Sequence, residues 1–172
     1  MLLSNEDIKR YLKERVIQIE PEPSEGQIGP ASIDLTLGDE FWVFKKNPKG
    51  KKIDIAKTSY ARVTKKLKAK SLVLKPGELA LGKTVEKIKL PDNIAGRLEG
   101  RSTYARLGIA VHVTSSIIQP GSFNHQVLEI VNLSPNPIIL RAGTRISQVL
   151  FETLASDTSK PYAKFGRIAR VQ

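Results

Sequence analysis

The residues able to do chemistry concentrate between Gly96 and Asn132, in GRLEGRSTYARLGIAVHVTSSIIQPGSFNHQVLEIVN. Gly100-Arg101-Ser102-Thr103 sets a glycine, a guanidinium and two hydroxyls side by side. The glycine lets backbone approach a ligand closely, the guanidinium offers a fixed fork of donors, and the hydroxyls add two more. That combination suits a phosphate or another oxyanion. Ser102 is also placed to cap a short turn from Thr103 to Leu107, leaving amides where anions sit well. Further on, Val127-Leu128-Glu129-Ile130-Val131 has the composition of a strand with one acid in an apolar run. Period-two alternation gives Glu129 the neighbours Val127 and Val131 on its face. Two readings follow: an acid in a structural ion pair or subunit interface, or a carboxylate in a water-poor pocket. The second could take a proton from water and return it to a leaving group. Arg101 and Arg106 are the nearest cations in sequence.

Other chemistries lack their parts. Without cysteine there is no disulfide, thiol nucleophile or zinc–thiolate centre. The zinc-deaminase signature, His-x-Glu followed by Pro-Cys-x-x-Cys, is missing, as is the Gly-x-Ser-x-Gly elbow of serine hydrolases. His112, between Val111 and Val113, reads as an ordinary strand residue; His125 reads as lining a pocket or an interface. No catalytic metal is expected.

The formal charge of +11 is local. The window Lys45–Lys70 holds ten lysines and one arginine against the single acid Asp54, so the rest of the chain is close to neutral. Its lysines alternate with polar residues and a Pro-Lys-Gly turn, whereas a polynucleotide surface more often mixes arginines and aromatics among its cations. A solvated loop or hairpin face is the expectation, and polynucleotide binding is not. No run of about eighteen apolar residues occurs, and MLLSNEDIKR has acids where a secretory leader needs an apolar core, so a soluble cytoplasmic protein is expected.

The elements that must position these groups are mostly strands. Ser4-Asn5-Glu6-Asp7 predicts a capped helix carrying Ile8, Tyr11 and Leu12 on one face and ending near Arg15. Val16–Ile19 predicts a short strand. After a loop from Glu20 to Pro30, Pro30-Ala-Ser-Ile-Asp-Leu-Thr-Leu-Gly38 alternates Ile33, Leu35 and Leu37 against Ser32, Asp34 and Thr36. Asp34 reads as a structural acid. Short strands follow, with Lys83–Leu90, Ile94–Glu99, Ile109–Thr114, Gln126–Asn132, Pro137–Leu140 and Arg145–Thr153 among them. Turn signals such as Pro120-Gly121 and Ala142-Gly143 recur between them. The pattern predicts a mainly β, jelly-roll-like distorted barrel with a few short helices.

Four segments resemble the dCTP deaminase family, which is similar in fold to the trimeric dUTP diphosphatases. They are Pro30-Ala-Ser-Ile-Asp-Leu-Thr-Leu-Gly38, Gly100-Arg-Ser-Thr-Tyr-Ala-Arg-Leu-Gly108, His112-Val-Thr114 leading to Pro120-Gly121, and Val127-Leu-Glu-Ile-Val-Asn132. Gly143-Thr-Arg-Ile-Ser-Gln148 fits the next block, and Pro161-Tyr162 is similar to the start of a C-terminal closing segment. The resemblance implies one dUTPase-like domain over residues 1–172 and a homotrimer with active sites between subunits. It further implies metal-independent hydrolysis of dCTP to dUTP and ammonia, which supplies dUTP for thymidylate synthesis. In that reading Glu129 activates water for attack at cytosine C4, while Ser102 and Arg106 hold the water and the acid. Arg101, Ser102 and Thr103 bind the triphosphate, whose Mg²⁺ is a counterion. Tyr104, Ala105 and Arg106 complete that block, and Val127 and Leu128 present backbone atoms to the nucleotide. Gln119, Gln148, Tyr162, Lys164 and Gln172 are further nucleotide contacts.

Departures bear on the alternatives. Where the family usually reads Ile-Asp-Pro-Gly, this chain has Ile118-Gln-Pro-Gly121. An amide cannot act as the base that a dUTP diphosphatase needs at that position. Ser115, Ser116 and Ser122-Phe-Asn-His125 are also unusual. A dUTP diphosphatase and a non-catalytic nucleotide-binding paralogue are the competing readings.

Overall fold

The computed structural model describes residues 1–46, 50 and 52–165; Lys49, Lys51 and Gln172 lie outside them. Helix α1 (Asn5–Lys13) begins as the sequence predicts. The Ser4 hydroxyl accepts from the Asp7 amide and the Asp7 carboxylate accepts from the Ser4 amide, a reciprocal cap. Its inner face buries Ile8 completely and lays Tyr11 and Leu12 against the core.

Strands β1 (Gln18–Glu20) and β2 (Ile33–Phe44) flank a 3-10 turn at Glu25–Gln27. Then come α2 (Tyr60–Val63), β3 (Thr64–Lys68), β4 (Ser71–Leu74), β5 (Leu79–Lys89) and β6 (Ile94–Gly100). Helix α3 (Ser102–Ala105), β7 (Ile109–Val111), β8 (Ile117–Ile118), β9 (Phe123–Asn132), β10 (Ile138–Arg141), β11 (Arg145–Thr153) and α4 (Tyr162–Phe165) complete the order. The main sheet runs β7-β9-β5-β2-β11-β6-β8, with β1 against β5 and β3 against β2; β4 and β10 form a separate pair.

β2 turns this sheet into a barrel-like curl. Its first half, Ile33 to Thr36, pairs with β11, and its second half, Leu37 to Val43, with β5. The changeover falls at a register break around Gly38, where a Cβ would lie 2.8 Å from the Lys83 carbonyl oxygen. Glycine lets the two backbones meet there. Inside the curl, Ile33, Leu35, Leu37, Phe41, Leu128, Ile130, Val149 and Phe151 are wholly buried. Burying each such side chain stabilises the fold by about 1.5–3 kcal/mol.

Several boundaries differ from the sequence reading, for local reasons. β5 begins at Leu79, ahead of the strand expected over Lys83–Leu90, because Gly82 sits inside it under Leu37 and Ile130. The strand expected over Ile109–Thr114 stops at Val111, since His112 takes a left-handed backbone with φ +63°. His112 is therefore a turn residue. Helix α3 includes Ser102, so Arg101 holds the cap position and no side chain caps that end. The described part of the lysine window is the solvated face expected of it. Lys66 lies 5.3 Å from the Trp42 ring centre and pairs with Glu40, and Lys68 pairs with Asp39.

Candidate active site in two halves

Gly100 ends β6 and Arg101 leads into α3, so the guanidinium and the two hydroxyls emerge at a strand-to-helix corner. Arg101 Nη2 lies 3.0 Å from Asp34 Oδ2, and its Nη1 donates to the Arg145 carbonyl at 2.5 Å. Burial holds the Asp34 carboxyl above its usual range; Arg101 and Arg145 oppose that, and the charge of Glu86 adds to it. Gln148, on β11, donates to the Gly100 carbonyl and accepts from the Ser32 hydroxyl. Arg101, Ser102, Thr103 and Gln148 thus line one pocket of about 290 Å³, whose opposite wall is the loop Gly26–Ser32. Tyr104 is half-buried with Arg101 over its ring, and Ala105 and Arg106 are exposed.

The second pocket, about 300 Å³, is lined by Gln119, Ser122, Gln126, Val127 and Tyr162 with His112. Tyr162 is brought there by α4, whose first amide donates to the Pro120 carbonyl. Lys164 is exposed on the same helix. Leu128 is wholly buried, which leaves only its backbone for a ligand.

Glu129 lies beyond Val127 on the outward face of β9. Residues 126, 128, 130 and 132 point into the core, whereas Val127, Glu129 and Val131 are half-buried. The carboxylate accepts from the Thr114 amide at 3.0 Å and from the Thr114 hydroxyl at 2.8 Å on both oxygens. Thr114 was missed by sequence reasoning. The sequence carries no signal for it: the antiparallel pairing of Val111 with Ile130, visible only in the fold, carries residues 112–114 along Glu129. Among the described residues no hydrogen bond or ion pair within the chain joins Glu129 to Ser102 or Arg106. One chain therefore presents the pocket beside Arg101 and, on β9, an acid-bearing face.

His112 bridges the turn beside Glu129, donating its amide to the Glu129 carbonyl. Burial pushes its imidazole below the usual value, and the Ser115 backbone, Glu129 and Glu99 pull the other way. A histidine kept neutral in the fold opposes folding once the unfolded chain protonates. Stability to urea should accordingly fall as pH drops below about 6.5. His112→Asn, which tolerates the left-handed backbone, should flatten that slope; an unchanged slope would remove His112 as its source.

No group of three or more His, Cys, Asp or Glu side chains among the described residues is arranged to hold a metal ion. Nor does any described helix have the length and apolarity to cross a membrane.

The fold is that of the dUTPase-like β-barrels. A 2′-deoxycytidine 5′-triphosphate deaminase from Agrobacterium tumefaciens superposes with a TM-score of 0.69 at 23% identity, over 90% of this chain and 49% of that one. A dUTPase of the S. aureus phage phi11 gives 0.56 at 14% identity, over 87% and 98%. The family model described as dCTP deaminase-like matches residues 2–154. The dCTP deaminase of Rhodospirillum rubrum is 43% identical over 95% of this chain and 88% of its own. The dUMP-forming dCTP deaminase of Methanosphaera stadtmanae is also 43% identical, over 94% and 83%. The chain belongs to the dCTP deaminase-like family.

Proposed function

We propose that the protein deaminates dCTP by hydrolysis, releasing ammonia and leaving dUTP. The observation that carries the reading is Glu129 held outward by Thr114 beside the pocket of Gln119, Val127 and Tyr162. Water oxygen bonds to cytosine C4 while its proton passes to Glu129. Glu129 returns that proton to N3 as the C4–N3 double bond opens. The proton of the new C4 hydroxyl then passes through Glu129 to the departing amino nitrogen, the C4–N4 bond breaks, and C4 becomes a carbonyl. Atoms balance as dCTP plus water to dUTP plus ammonia. Arg101, Ser102 and Thr103 bind the triphosphate, and Mg²⁺ accompanies the phosphates as their counterion. Gln148 and Lys164 add polar contacts. The enzyme acts on the cytoplasmic nucleotide pool.

Relatives include dUMP-forming enzymes, but Gln119 gives this chain an amide at a position where a base is needed for attack on a phosphate. We therefore assign dUTP as the product. Incubation with dCTP should yield ammonia without pyrophosphate. Pyrophosphate in equal amount would make dUMP the product, and no ammonia would end the deaminase reading.

The two halves lie apart within one chain, which supports a homotrimer whose sites join the anion pocket of one subunit to the Glu129 face of the next. Glu129→Gln and Ser102→Ala are each expected to be nearly inactive alone. Refolded together in equal amounts they should recover about a quarter of wild-type activity, because that fraction of interfaces pairs two intact halves. No recovery in the mixture would put both halves in one chain.

A further inference from the structure

Glu86 takes no part in the chemistry above, yet it is a carboxylate only 2% exposed, on the inner side of β5. Burying a carboxylate is costly unless its oxygens are satisfied. Here both are. Oε2 accepts from the Thr36 amide at 2.8 Å, and Oε1 accepts from Gln27 Nε2 at 3.1 Å. Among the described residues no lysine or arginine pairs with it.

Gln27 is the joint. Its Nε2 also donates to the Asp34 carbonyl, and its Oε1 accepts from both the amide and the hydroxyl of Ser24. The amide group is fully used, and each bond has one polarity. The same turn is tied at a second point, where Arg145 Nη1 donates to the Gly26 carbonyl while the Arg145 carbonyl receives Arg101 Nη1. A hydrogen-bonded path thus runs from buried Glu86 through the 3-10 turn to Arg101. The turn and the residues after it, Gly26, Gly29 and Ser32, face Arg101–Thr103 across the anion pocket.

We propose that Glu86 is a positioning residue for the triphosphate side of the site, and that loop 26–32 is the far wall of that site, against which the phosphate chain lies. The proposal rests on the reading that this pocket takes the triphosphate. Glu86 touches no ligand. It sets the turn at the distance from Arg101 that a bound polyphosphate requires, so its loss acts on affinity and leaves proton transfer at Glu129 alone.

Polarity makes the test specific. In Glu86→Gln, an amide at position 86 must turn a donor toward either Thr36 N or Gln27 Nε2, so one bond is lost. In Gln27→Glu, two carboxylates face each other. The double substitution Glu86→Gln/Gln27→Glu restores the pairing between the two side chains, with the new amide accepting from Thr36 and donating to the new carboxylate, which still accepts from Ser24; the bond to the Asp34 carbonyl is not restored. Tripolyphosphate binding by calorimetry and dCTP turnover are measured on the full-length chain. Each single variant should weaken tripolyphosphate affinity and raise KM for dCTP by about tenfold or more, with kcat within about threefold. The double variant should bind more tightly than Gln27→Glu alone, short of wild type by the missing Asp34 bond. Gln27→Ala, at a half-buried turn, should weaken affinity in the same way if Glu86→Gln does not fold. Unchanged affinity in both Gln27→Ala and Gln27→Glu, a fall in kcat with KM unchanged, or a double variant no better than the poorer single one would overturn the proposal. Wild-type protein that binds tripolyphosphate but releases no ammonia would end the deaminase reading instead; the affinities then still decide on Glu86.

Discussion

Glu129→Gln is expected to lower ammonia release from dCTP by about 10³-fold while leaving the dissociation constant for dCTP within a few-fold. The substitution keeps the side chain's shape. Thr114 donates both its amide and its hydroxyl to the carboxylate, and an amide oxygen can still accept from at least one of them. The residue therefore stays where it is, on the face of β9 beside Val127. On the proposed mechanism, what it loses is the capacity to carry protons from water to the base and its leaving nitrogen. A loss in kcat without a loss in binding is the signature of an interaction made only as the reaction proceeds. The measurement is ammonia release under saturating dCTP, paired with calorimetric binding of the same nucleotide. Turnover within tenfold of wild type would take Glu129 out of the chemistry, whatever the fold.

The same residue marks how far the sequence could be read. The alternation around Glu129 was legible because one face of β9 is committed to the core, and a strand's period of two then assigns every neighbour. Ile33, Leu35 and Leu37 in β2 were legible for the same reason. The pairing of Arg101 with Ser102 and Thr103 in one pocket followed from their adjacency, and Gln148 joined them only through resemblance. What periodicity could not supply was anything set by register between strands. Thr114 reaches Glu129 because β7 runs antiparallel to β9, and Gln27 reaches Glu86 across 59 positions. Arg106, expected beside Glu129, makes no bond to it within the chain, since nearness in sequence does not decide which way a helix faces. β8 is two residues long, too short to show any period. His112 read as a strand residue because its flanking valines have strand composition; its φ is visible only in the fold.

Gly108→Ala, just past α3, should destabilise the protein by about 2–4 kcal/mol. Gly108 closes α3 with φ +83°, and its amide donates to the Ala105 carbonyl. An L-residue in that region costs about 1–2 kcal/mol on its own. A methyl group there would also lie 2.9 Å from the Ser134 amide nitrogen and 3.0 Å from its Cα. That backbone cannot retreat easily. Ser134 donates its amide and its hydroxyl to Asn132 Oδ1, and the amide of wholly buried Asn132 in turn holds the Leu74 and Asn136 carbonyls. The strain then passes back to α3, the element that begins at Ser102 and ends at its cap Arg106. Gly143→Ala separates the two causes, because Gly143 has φ +87° but nothing within 4 Å of the added carbon. It should lose only the conformational part. Urea denaturation of both variants measures the difference, and with total stabilities of about 5–15 kcal/mol the larger loss is a substantial fraction. Equal losses in the two would mean that Ser134 yields, and the rigidity assigned here to the α3–β7 corner would have to be given up.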